Sequence, residues 1–256
     1  MHAPSGWVHY HDPNELHPTI RIDADGIPGN RIDPPLVRRT VLLHDVRHHP
    51  APRFESDGVV FLRAPGPLES LDRPEARARY DRALESLLAE HLSVREAVVF
   101  DHTERRDDAG LRPPARHVHG DYTVESGAQR FVDVLGPARA AAWQRGRAGI
   151  VNVWRPLLPV ERAPLAFALP ATVRTTDWVD IAIVYPDRQG RITGLLPSPD
   201  HRWVFQSAMT PDDVVVFRTY DNQGAPVVPH TAIDLVDAPA GPPRQSRETR
   251  ILVRYA

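Results

Sequence analysis

The chain has 256 residues, 41% of them hydrophobic, with a formal charge of −2, so it carries no overall basic surface for nucleic acid. It contains no cysteine, which excludes disulfides, iron–sulfur clusters, thiol nucleophiles and thiolate zinc sites. All 31 basic residues are arginine, so Schiff-base chemistry, pyridoxal phosphate and a P-loop lysine are excluded too.

No stretch approaches the roughly eighteen apolar residues of a membrane span, and Met1 to Tyr10 lacks the order of a signal peptide. A soluble, cytoplasmic protein is expected. With 27 prolines and 15 glycines, many short strands joined by turns fit better than long helices.

Residues 1–55 are rich in Pro, His and Arg and read as an irregular N-terminal extension, with one strand-like piece at Val37 to Leu43. A short apolar strand follows at Gly58 to Leu62. Pro74 then opens a helix in which Leu84, Leu87, Leu88 and Leu92 recur at helical spacing. Ala97 to Phe100 reads as a buried strand, and Arg116 to Tyr122 as a strand end. A second helix spans Ser126 to Arg145, as one piece or as two divided at Gly136-Pro137. Short strands follow at Ile150 to Trp154, Leu165 to Leu169, Trp178 to Tyr185, Arg202 to Gln206, Val214 to Tyr220, Thr231 to Val236 and Thr249 to Tyr255. The order predicts a mainly β (α+β) fold: an antiparallel jelly roll with flanking helices, in one domain over 1–256.

Two His-x-acid triplets occur, His102-Thr103-Glu104 and His119-Gly120-Asp121, and strand alternation puts both residues of either on one face. The first lies among charges and reads as a solvated turn; the second is favoured. His230 begins a strand, and fourteen residues later comes Arg244-Gln245-Ser246. Two histidines and a carboxylate suit ferrous iron that must also take a chelating co-substrate and dioxygen. An Arg-x-Ser pair can hold a second carboxylate, since Arg offers a bidentate fork and Ser points the same way two residues on. His201 competes as third ligand and reads as packing. Arg247 and Arg250 compete with Arg244 as the anchor. Tyr122 either reaches the iron site, toward the co-substrate, or packs.

These residues belong to a longer series. Asn152-Val153-Trp154-Arg155-Pro156, His119-Gly120-Asp121-Tyr122-Thr123, His201-Arg202-Trp203, Met209-Thr210-Pro211-Asp212-Asp213, Phe217-Arg218-Thr219-Tyr220-Asp221, Pro229-His230-Thr231-Ala232 and Pro243-Arg244-Gln245-Ser246 together resemble the AsaB/CmcJ-like hydroxylase/desaturase family, over roughly residues 95 to 255. The resemblance implies a double-stranded β-helix and non-haem Fe(II), 2-oxoglutarate and O2 chemistry on a small secondary metabolite or amino-acid-derived substrate. It implies His119, Asp121 and His230 as iron ligands, Arg244 with Ser246 at the co-substrate's far carboxylate, and Asn152, Trp154 and Arg155 lining the pocket. Arg218 stands where the family usually has lysine, and Ile233 where it usually has phenylalanine.

Hydroxylation, desaturation and ring closure all begin with the same hydrogen abstraction, so the iron site does not choose among them. The abundance of arginine favours an anionic or carboxylated substrate, against its commoner use on a solvated surface. A redox-neutral cupin-type metalloenzyme and a non-catalytic jelly-roll binding protein are the alternatives, and the oligomeric state is open.

Overall fold

The computed structural model describes residues 4–27, 29–66, 68–108, 112–237 and 241–256. Its strands in chain order are β1 Ser5–His11, β2 Thr19–Ile22, β3 Arg31–Ile32, β4 Leu36–Asp45, β5 Val59–Arg63, β6 Val94–Arg106, β7 His119–Gly120, β8 Ala148–Pro156, β9 Leu165–Ala168, β10 Trp178–Val184, β11 Gln189–Leu195, β12 Trp203–Phe205, β13 Asp213–Asp221, β14 His230–Ala232, β15 Asp234–Leu235 and β16 Gln245–Tyr255. The helices are α1 Phe54–Asp57, α2 Pro74–Leu92, α3 Val124–Leu135 and α4 Pro137–Gln144. None is long and apolar enough to cross a membrane.

Two sheets face each other, the two layers of a double-stranded β-helix. The smaller has the order β5-β13-β8-β16-β6; the larger runs β15-β1-β4-β12-β9-β14-β7-β11-β10-β2-β3. Alternation along β8 and β16 sends Trp154 inward, where it meets Phe217 and Val215 of β13 and Phe167 and Val204 of the large sheet. The opposite side of the small sheet is closed by α2. Its Leu84, Leu88 and Leu92, one turn apart, pack on Val151, Val153, Val214, Val216, Ile251 and Val253. Pro74 occupies the first turn of this helix, and Ser93 ends it in the left-handed conformation (φ 52°).

The second helical stretch is two helices. Gly136 (φ 74°) ends α3 and Pro137 begins α4, and Phe131 and Trp143 bury against Ile150, Tyr220 and Leu252. Thr123 caps α3, its Oγ1 accepting from the Ser126 backbone N–H while Ser126 Oγ accepts from the Thr123 N–H. The large sheet curls until β1 reaches His117 through a parallel His9–His117 bridge, enclosing a second core of Val8, Tyr10, Leu43, Trp203 and Phe205.

Three expectations need correction. Residues 1–55 are not an irregular extension: β1 and β4 pair over seven positions, and β4 continues the sheet to β12. His102-Thr103-Glu104 is no turn but the middle of β6, paired with β16. There His102 bonds Thr249 (2.9 Å) and faces Asp81 (3.0 Å) on the side covered by α2. Finally, β11 is a full strand in a stretch that carried no strand expectation.

Candidate active site

The site begins at one cross-strand pair. His119 of β7 lies opposite His230 of β14, and its other neighbour is Gly194 of β11. Position 194 has no room for a side chain, because a Cβ there would lie 2.3 Å from His11 Cδ2 and 2.7 Å from Ile181 Cδ1. Pairing sets the two imidazoles side by side, with ring centroids 4.4 Å apart. Asp121 follows just beyond β7, held between that strand and the Thr123 cap of α3.

The orientation of each group is determined by its other polar atom. His119 Nδ1 lies 2.9 Å from the His117 carbonyl and His230 Nδ1 lies 3.1 Å from the Val228 carbonyl. A carbonyl only accepts, so both Nδ1 atoms carry the proton and both Nε2 lone pairs are free. Asp121 Oδ2 accepts from Asn152 Nδ2 at 2.7 Å and lies 3.6 Å from Arg250 Nε. Its Oδ1 is thereby turned to the histidines, 3.6 Å from His119 Nε2 and 3.8 Å from His230 Nε2. The three candidate ligand atoms all lie within 4.8 Å of one another.

The electrostatics favour the binding-competent protonation states. Burial, aided by His230, lowers His119 to about 3, so it is neutral at physiological pH. Burial alone would raise Asp121, but Arg250, His230, His119 and the Asn152 hydrogen bond outweigh it and keep the carboxylate ionised. Two imidazoles and one carboxylate, with nitrogen and oxygen donors only, fit a divalent transition metal such as ferrous iron.

A small cavity runs from the two histidines past Trp154 and Glu248 to Arg244 and Arg105. Arg244 is 3% exposed; one arm donates to the Ala163 carbonyl (2.6 Å), and its guanidinium stands 5.4 Å over the Trp154 ring. Its Nε and the Ser246 Oγ are buried without hydrogen-bond partners among the described residues. Burial and the neighbouring Arg105 pull Arg244 down to about 9, still a cation at neutral pH. Two orphaned donors beside two crowded cations suit an anion, and a carboxylate would satisfy both needs.

Of the five residues that sequence reasoning names, His119, His230 and Arg244 line this cavity, Asp121 faces the two histidines, and Ser246 lies opposite Arg105 across β6 and β16. Trp154 lines the cavity and Asn152 holds Asp121. Arg155 must be corrected. Alternation turns it to the α2 side of the sheet, where it donates to the Ala64 carbonyl (2.7 Å) and sits 5.8 Å over Tyr80. Tyr122 is corrected as well. It packs beside the α3–α4 core and lines a separate wide cleft, away from Arg244. Arg247 faces α2 and is paired with Glu104, while Arg250 is engaged by Asp101, Glu248 and Asp121. Neither is free to anchor a ligand. His201 is a packing residue between Tyr10 and Asp177. The residues missed are Arg105 and Glu248, and Arg250, named only as a competing anchor, stands beside Asp121 instead. Arg105 joins the site because it pairs across β6 and β16 with Ser246, a register not readable from local spacing.

Comparison with known proteins agrees with this geometry. A family profile described as "Oxidoreductase/YMDC permease-like domain" matches residues 8–254. The hydroxylase/desaturase efuI of Hormonema carpetanum is 27% identical over 245 residues, covering 83% of this chain and 82% of that protein. The hydroxylase/desaturase asaB of Aspergillus flavus is 34% identical over 127 residues, 43% of this chain and 56% of its own. Among solved structures, the iron and alpha-ketoglutarate-dependent endoperoxidase NvfI superposes with a TM-score of 0.86 at 21% identity, covering 98% of both chains. The chain belongs to the oxidoreductase family of that profile, among the iron- and 2-oxoglutarate-dependent hydroxylase/desaturases.

Proposed function

We propose that His119, Asp121 and His230 hold ferrous iron, that Arg244 and Ser246 hold the far carboxylate of 2-oxoglutarate, and that the protein oxidises a small secondary metabolite. The observation that carries this reading is the convergence of His119 Nε2, His230 Nε2 and Asp121 Oδ1, each turned there by a hydrogen bond at its other polar atom. Iron, 2-oxoglutarate and dioxygen together supply the oxidant that abstracts hydrogen from substrate carbon, the keto acid ending as succinate and carbon dioxide. The chain's own residues bind and orient. The two backbone carbonyls hold the imidazole tautomers, and Asn152 with Arg250 holds the carboxylate. Trp154, Leu165 and Ala232 line the cavity with apolar surface that keeps water from the co-substrate.

A redox-neutral metal enzyme with the same ligands has no use for the buried Arg244–Ser246 anion site. The pairing of β1 with β15, from opposite ends of the chain, supports one domain over 1–256.

The test is an anaerobic optical titration with ferrous iron and then 2-oxoglutarate. A visible charge-transfer band is expected only with both and is lost in His230→Ala. Iron binding without that band points to the redox-neutral use of the site, and no iron binding overturns the ligand assignment.

A further inference from the structure

A second, wider space opens beside the ligands, a cleft of about 540 Å³, within the range of small-molecule sites. Three of its walls adjoin the three ligands. Tyr122 is the residue after Asp121. The Trp178 ring lies against Gly120, between His119 and Asp121, where a Cβ would come within 3.2 Å of it. Thr219 is two residues beyond Phe217 on β13, and the Phe217 ring stands 4.5 Å from that of His230. Each candidate ligand is thus one residue or one ring removed from the cleft, which shares no lining residue with the Arg244 cavity.

Its chemistry is uniform. Tyr122, Trp178, Tyr220 and Val173 present aromatic and aliphatic surface, and Thr219 and Thr175 add hydroxyls. No arginine or histidine lines it among the described residues. Its one carboxylate, Asp221, has a fully buried side chain that accepts from Arg147 Nε (3.2 Å) and from the backbone N–H groups of Gln223 (2.9 Å) and Ala225 (3.2 Å). Asp221 thus shapes the 221–225 turn and offers no charge to a ligand. Burial, with Asp221 beside it, raises the Tyr220 phenol, so it is neutral. An anion placed here would lose water and gain no cation, which is strongly unfavourable.

We propose that the substrate is an uncharged, largely apolar molecule with a few hydroxyl or carbonyl oxygens, seated between Trp178, Tyr122 and the 219–225 segment. This rests on the oxygenase reading only in placing the reacting carbon at the metal. It replaces the carboxylated substrate expected from the abundance of arginine, since the arginines near the site serve the co-substrate cavity and the ligand Asp121.

The test uses two fluorescent probes of one ring system, N-phenyl-1-naphthylamine, which is neutral, and 1-anilinonaphthalene-8-sulfonate, which is anionic. Each is titrated into the full chain, metal-free and loaded with ferrous iron and 2-oxoglutarate under argon. The neutral probe is expected to bind saturably and about tenfold or more tighter than the sulfonate. Trp178→Ala should weaken it about fivefold, and Ala225→Arg, on a half-buried turn that tolerates a long side chain, should weaken it and favour the sulfonate. Equal or tighter sulfonate binding, no saturable neutral binding, or neutral binding untouched by both variants overturns the proposal. His230→Ala separates the two readings: it should abolish the iron and 2-oxoglutarate band and leave neutral-probe binding unchanged.

Discussion

Asn152 Nδ2 donates to Asp121 Oδ2 over 2.7 Å, and this contact turns the other carboxylate oxygen toward His119 and His230. Asn152→Ala should lower affinity for ferrous or cobaltous ion by about 10- to 100-fold, the usual effect of losing an orienting partner. Asn152→Asp should lower it further by placing two carboxylates together. Competition with a chromogenic chelator measures both. Unchanged affinity in the two variants would mean that Arg250 alone orients Asp121.

The two arginines flanking Ser246 and its neighbour separate by face. Arg244→Ala removes a charge-assisted contact of about 1.5–3 kcal/mol and should weaken 2-oxoglutarate binding tenfold or more. Arg247, bonded to Glu104 Oε1 by Nε (3.0 Å) and Nη2 (2.7 Å), lies under α2. Arg247→Ala should leave co-substrate affinity intact and lower the unfolding midpoint. Calorimetric titration and urea unfolding of the same two variants decide it.

Gly194 lets β11 pass close to His11 while pairing with His119. Gly194→Ala forces the strand away and should cost about 1–3 kcal/mol of stability, with weaker metal binding as His119 shifts. A variant as stable as the parent, with normal metal affinity, would show that the strand yields without moving the ligand.

Burial lowers the pKa of His11, against the Val118 backbone and Asp33, and burial likewise lowers His201. Above the ordinary histidine value both folded and unfolded chains carry these rings neutral, so stability is level. As pH falls below about 6.5, the unfolded chain takes up protons that the folded one resists, and stability falls by up to about 1.4 kcal/mol per pH unit for each ring. His11→Gln should show a shallower fall in urea midpoint between about pH 7.5 and pH 5.5. An identical slope would place His11 in a hydrated setting.

The candidate ligands and the candidate anion site were legible because they are bound to local chemistry: a His-x-Asp triplet and a strand-opening histidine for the first, an Arg-x-Ser at strand spacing for the second. Helix α2 was legible because Pro74 and the leucine period agree. Arg155 was misplaced because its family block suggested one pocket, whereas alternation on β8 divides it, Asn152 and Trp154 to one face and Arg155 to the other. Of the N-terminal strands, β4 was foreseen in part as Val37 to Leu43, whereas β1 was missed because its histidines, His9 half-buried and His11 buried, mask the period of Val8 and Tyr10. Arg105 and Glu248 depend on the pairing of β6 with β16, more than a hundred residues apart, and long-range register has no local signature.

The pairing of Gly6 with Leu235 has a consequence for how the protein comes into being. A nascent chain leaves the ribosome with β1 and β4 lacking their partners β15 and β12, and His119 lacking His230. The sheet that creates the iron site is complete only after nearly the whole chain has been released. Closing so long a loop is slow, and until it closes the apolar strands are exposed to aggregation. Metal should therefore bind last, locking a finished fold rather than templating it, and recombinant yield should depend more on slow synthesis than on iron supply.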